Sequence, residues 1–209
     1  MPTPDRNKLW PWFVLAYGVF FLNDVLFIRS SDWQTYLTVD YGSRVVALAL
    51  LLVPRAPRAI VLQRETRRVG FGRAILLALA CVAWERLLAA GVLPELGLIF
   101  GNSRLADFPV LPPGIKQLDL VFGVILVAVS EEVLSRRVAK AVLREVLRRD
   151  LQVIVVSAAL FAGMHWSQGI PNLVYVFLIG VVFMAVYLRV GVLWPLIVAH
   201  YVIDAIAFW

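Results

Sequence analysis

The chain has 209 residues, 61% of them hydrophobic and 16% charged, with a mean hydropathy of +0.83. Soluble domains carry about 25% charged residues and about 45–50% apolar ones, so the composition excludes an ordinary water-soluble globular protein. The net charge is +6, but the basic residues gather in a few stretches between apolar runs, as in cytoplasmic loops. No nucleic-acid partner is therefore expected. The partner implied by composition is the lipid bilayer.

The apolar runs are long and continuous, whereas barrel strands alternate, so the spans read as helices. Seven segments are predicted, giving an all-α polytopic bundle, a single integral membrane domain over residues 1–209. Arg outnumbers Lys, which hints at a GC-rich bacterial genome and a multi-pass protein of the bacterial plasma membrane. Cys81 is the single cysteine, so no intrachain disulfide forms.

The stretch Met1–Lys8 is short and weakly charged. The run after it is too long for a removable signal peptide and reads as the first span, residues 10–28, containing Asn23 and Asp24. The second covers residues 45–62, interrupted by Pro54 and Pro57, or ends at Val53 as a short span. The third covers 74–93 and carries Glu85 and Arg86. Residues 94–114 read as a loop, with Pro109, Pro112 and Pro113 excluding a helix.

The fourth span starts near Leu118 and passes through Ser130, Glu131 and Glu132. It runs into a basic amphipathic stretch, residues 136–149, expected on the membrane surface or continuing into water. The fifth covers 151–166, the sixth 173–188 and the seventh 193–209. The short connections between the last three make them antiparallel neighbours.

Basic residues set the orientation. Arg55, Arg58, Arg64, Arg67, Arg68 and Arg73 lie between spans two and three. Arg136, Arg137, Lys140, Arg144, Arg148 and Arg149 lie between spans four and five. With seven spans both stretches fall on one side, so that side and the N-terminus are predicted to be cytoplasmic. Trp10, Trp12, Trp166, Trp194 and Trp209 fall near segment ends, where indole rings anchor at the interface.

Ionisable groups inside spans are costly and point to function. Glu131 and Glu132 lie in the fourth segment, His165 ends the fifth, and His200 and Asp204 lie within the seventh. The chain has 2 histidines, and both are in this set. Residues four apart share a helix face, so Glu132 pairs with Arg136 and each neutralises the other. Glu131 points about 100° away and is left without that partner, which suits a general acid or base. Asp204 is placed to fix the tautomer of His200, and Phe161, one turn before His165, to exclude water. Asn23, Asp24, Glu85 and Arg86 read as interhelical contacts.

The motifs Glu-Glu-Val-Leu-Ser-Arg (131–136), Phe-Ala-Gly-Met-His (161–165) and His-Tyr-Val-Ile-Asp (200–204) match, in order, EExxxR, FxxxH and HxxxN/D. Residues 118–209 thus resemble the CPBP family of CAAX proteases and bacteriocin-processing enzymes, also called Abi. The N-terminal half resembles it only in hydropathy. The resemblance implies a glutamate-dependent intramembrane endopeptidase acting on a membrane-anchored protein or peptide. Glu131 with His165 would activate water, and His200 with residue 204 would stabilise the oxyanion. Ser135 and Arg137 stand where the family often has an aromatic and a small residue, and Asp204 where many members have Asn. An ionised Asp cannot donate to an oxyanion, so Asp204 is expected to orient His200 or to be protonated.

No cofactor is expected. A zinc variant would use Glu131, His165 and His200 as ligands with an open position for water, although no HExxH helix is present. Two other classes stay open: a proton- or ion-coupled transporter, since buried Glu–His–Asp sets serve as relays, and a non-catalytic immunity or scaffold protein.

Overall fold

The computed structural model describes residues 9–29, 32–65 and 69–209; Met1–Lys8, Arg67 and Arg68 lie outside them. The described residues are mostly helical, with no strand among them. In chain order the helices are α1 (Trp10–Arg29), α2 (Trp33–Leu52), α3 (Arg55–Val61) and α4 (Phe71–Phe100). They continue with α5 (113–143), α6 (Asp150–Gly163), α7 (Ile170–Val190) and α8 (Trp194–Phe208). Of these, α1, α2, α4 and α7 are long and apolar enough to cross a membrane. Twenty residues of helix rise about 30 Å, the thickness of the hydrocarbon core.

The fold is apolar outside and charged within. Leu98 and Phe71 are 81% and 75% exposed, whereas Glu85, Glu132 and Arg136 are fully buried. Water would favour the reverse. Exposed leucines and phenylalanines also line α1 and α4, so these faces suit lipid.

Four boundaries differ from expectation. The second span starts at Trp33, well before residue 45, and ends at Leu52, in keeping with the shorter reading that stops at Val53. Asp32 caps it, accepting from Thr35 N at 2.8 Å, and that backbone N–H holds the exposed Asp32 carboxyl below the usual carboxylate range. Pro54 opens a separate short helix, α3, because proline cannot donate into the preceding turn.

The third span runs through Pro94 to Phe100. A wide π turn at Leu88–Val92 precedes Pro94, which sits in the first turn after it and is accommodated there. Pro113, expected to exclude helix, opens α5, since a first-turn position needs no N–H partner. The helix α5 then contains two further π turns, Asp119–Gly123 and Val133–Val138. The basic stretch 136–149 is not a surface helix. It stays helical with buried Val142 and Leu143, then becomes a turn from Arg144.

The hairpin α1–α2 packs against α5, α6 packs along α7, and α8 packs against both α4 and α5. Close approach of α6 and α7 needs a small residue: a Cβ on Gly180 would stand 3.1 Å from Ala158 Cα. Ser157 Oγ on α6 donates to the Ser135 carbonyl of α5 at 2.8 Å. These contacts bring the middle of α5 against α6 and α8.

Candidate active site

Glu131 and Glu132 lie side by side on α5 and are both buried. Glu132 pairs with Arg136 as spacing required, Oε2 to Nε at 3.0 Å and Oε1 to Nη2 at 3.3 Å. Arg136 also lies against two rings, its Cζ 4.5 Å from the Phe161 centroid and 5.5 Å from that of Phe183. Cation–π attraction of this kind strengthens where water is excluded.

Glu131 is not unpartnered. Arg44 Nη1 on α2 is 2.7 Å from Glu131 Oε1. The same guanidinium takes Asp40 with Nε at 3.1 Å and Nη2 at 2.9 Å. This two-pronged grip is the strong geometry for arginine and carboxylate. Arg44 lies one residue before the predicted second span, in a polar first part of α2 that the apolar run does not mark.

The other oxygen of Glu131 is free. Oε2 has no hydrogen-bond partner among the described residues although it is buried. His165 Nε2 lies 3.9 Å from it and His200 Nε2 3.8 Å. Both gaps are too long for a direct hydrogen bond, and a water could bridge either.

The far side of each ring is tied down. His165 sits just past the end of α6, in the turn leading to Trp166–Gln168. Its Nδ1 is 3.0 Å from the Phe161 carbonyl. A carbonyl only accepts, so Nδ1 carries the proton and Nε2 of the neutral ring is a lone pair facing Glu131. His200 Nδ1 is 3.0 Å from Glu132 Oε1, so Glu132 holds this ring from one side. Asp204, expected to orient His200, meets it from the other, Oδ2 standing 3.4 Å from Nε2 on the side that faces Glu131. Phe161 meets His165 and His200 edge-on, and Phe183 meets His200 in the same way. Phe183 carries no signal in the sequence, being one aromatic residue in an apolar span.

A cavity of about 280 Å³ adjoins the site. Asp40 and Asp204 are in its wall, each one contact from Glu131 or His200, and Leu120, Val124, Phe108 and Phe208 give it an apolar lining. Among the described residues no group of three His, Cys, Asp or Glu side chains is arranged to hold a metal ion. Of the interhelical residues, Asp24 accepts from Ser167, and Glu85 binds Arg86 and Tyr175 away from this centre.

Fold and centre together define a helical membrane protein with carboxylates and imidazoles gathered in its interior. Residues 114–206 match the Rce1-like family, described as type II CAAX prenyl endopeptidase Rce1-like. This segment, which carries all three motifs, is similar to the CAAX proteases. The match supports a CAAX-protease-like peptidase. No curated protein and no solved structure matches the chain.

Proposed function

We propose that this protein is an intramembrane endopeptidase that hydrolyses a peptide bond of a membrane-anchored substrate without a metal. The observation that carries the reading is the free Glu131 Oε2 facing both Nε2 atoms. A water held between Glu131 and His165 gives its proton to Glu131, and its oxygen attacks the scissile carbonyl carbon. The C=O π pair moves to oxygen, and Nε2–H of His200, when the ring carries both protons, meets that charge. Collapse breaks the C–N bond, and Glu131 returns the proton to the leaving amine. Glu132 keeps His200 in place through Nδ1, and Phe161 and Phe183 keep bulk water out.

Seven membrane crossings with the N-terminus cytoplasmic fit the basic loops. In this arrangement α6, 14 residues long, rises about 21 Å from the cytoplasmic side. His165 then lies inside the bilayer, and the cavity opens toward the outer side, where α2 and α5 begin and α8 ends.

The test is cleavage of a quenched fluorogenic CAAX peptide by purified protein in liposomes, farnesylated and unfarnesylated. Cleavage that Glu131→Gln abolishes supports the reading. Absence of cleavage of either peptide and of other membrane-anchored precursors, with the protein folded, counts against it.

A further inference from the structure

The family match begins at residue 114, yet two of the closest supports of the centre come from the hairpin before it. On α2, Asp40 takes two nitrogens of Arg44, which leaves Nη1 pointing at Glu131 Oε1. The guanidinium is planar, so fixing two nitrogens fixes the third. Phe20 of α1 lies beside the same group, 5.4 Å from its Cζ. With Oε1 held, the carboxylate cannot turn, and Oε2 stays toward the two imidazoles.

The second support is Asp24 on α1, a buried residue. Its Oδ2 accepts from Ser167 N at 3.1 Å and from Ser167 Oγ at 2.7 Å. Ser167 stands two residues after His165, in the short 3₁₀ turn Trp166–Gln168. The same turn is held from the other side, where the Ser167 carbonyl accepts from Leu105 N at 2.9 Å. The next residue, Gly169, has φ +86°, and a Cβ there would press on Ser103. This single 3₁₀ turn has one backbone bond of its own, from Gln168 N to the His165 carbonyl at 3.1 Å, and Asp24 ties its middle residue to α1.

We propose that α1 and α2 complete the reaction centre with two positioning residues, Arg44 for Glu131 and Asp24 for the turn that bears His165. Neither touches the reacting atoms. The proposal rests on Glu131 and His165 acting as the water-activating pair. It makes the chain before residue 114 part of the enzyme's chemistry as well as its anchor.

The experiment uses full-length protein in liposomes with the farnesylated CAAX peptide, reading kcat and KM separately. Arg44→Gln is expected to lower kcat about 10²-fold, the usual cost of a misplacement of about 1 Å, with KM nearly unchanged. Arg44→Lys, which returns a cation to Oε1, should recover part of that loss. Asp24→Ala should lower kcat about tenfold, and Asp24→Asn, which keeps an acceptor for Ser167, should recover most of it, on the same positioning argument. An unchanged kcat in folded Arg44→Gln, or a lysine variant no better than glutamine, would overturn the proposal.

A second measurement does not depend on turnover. Melting of Arg44→Gln, Glu131→Gln and the double variant should show a double loss smaller than the sum of the single ones. Additive losses would overturn the contact and the proposal with it. A wild-type protein that cleaves nothing while the losses remain coupled would count against the peptidase reading and leave the Arg44–Glu131 contact standing.

Discussion

One carboxylate serves two partners at equal distance: Glu132 Oε1 is 3.0 Å from His200 Nδ1, and its Oε2 is 3.0 Å from Arg136 Nε. Structural support and the proposed chemistry therefore meet in a residue that spacing alone assigned to support. Glu132→Gln should lower stability by roughly 3–5 kcal/mol, since it leaves a fully buried cation without its counter-charge. Activity per folded molecule should fall as well, because His200 loses its anionic anchor. Changing Glu132 and Arg136 together to neutral residues should recover part of the stability and none of that activity. Melting in detergent and cleavage by the monodisperse fraction separate the two effects.

Glu131→Gln should behave differently. Arg44 keeps Asp40 as a counter-charge, so the stability loss should be smaller than for Glu132→Gln. Cleavage should fall by at least about 10²–10⁴, the usual contribution of a general base. A glutamine variant that still cleaves at a tenth of the wild-type rate would remove Glu131 from the chemistry.

Chelation gives the third expectation. In the metal-free mechanism EDTA and phenanthroline leave the rate unchanged, and purified protein holds no stoichiometric zinc. Loss of cleavage on chelation, reversed by Zn²⁺, would instead place an ion among Glu131, His165 and His200.

Orientation is open to labelling with an impermeant maleimide in a Cys81→Ser background. Leu105, 55% exposed in the loop before α5, and Val146, 63% exposed in the turn before α6, lie at opposite ends of the bundle. Leu105→Cys should label from outside and Val146→Cys only after permeabilisation. The reverse pattern would invert the topology.

What could be read from the sequence follows from how local each signal is. Glu132–Arg136 and His200–Asp204 are neighbours four apart on one helix, and charges in apolar runs are conspicuous. The structure brings them together with His165 around Glu131. Arg44 was missed because the first turns of α2 are polar enough to read as loop. The signals there were the Asp32–Thr35 cap and the Asp40–Arg44 spacing. That Arg44 meets Glu131, 87 positions away, is a property of helix packing and leaves no local pattern. The path through Pro94 was hidden for a similar reason, since a π turn is a matter of backbone spacing and has no residue signature.

The π turn at Val133–Val138 begins one residue after Glu132 and contains Arg136. Its wider winding gives α5 a phase offset between the half that bears the two glutamates and the half that buries Val142 and Leu143. Chain length in this turn is thus under tighter constraint than residue identity. Exchanging Leu134 for another apolar residue leaves the phase intact. Removing one residue turns everything beyond it by about 100° relative to the glutamates, carrying Val142 and Leu143 out of the core and Arg136 off Glu132. Among natural homologues the turn should accept substitutions at its apolar positions while holding its length fixed.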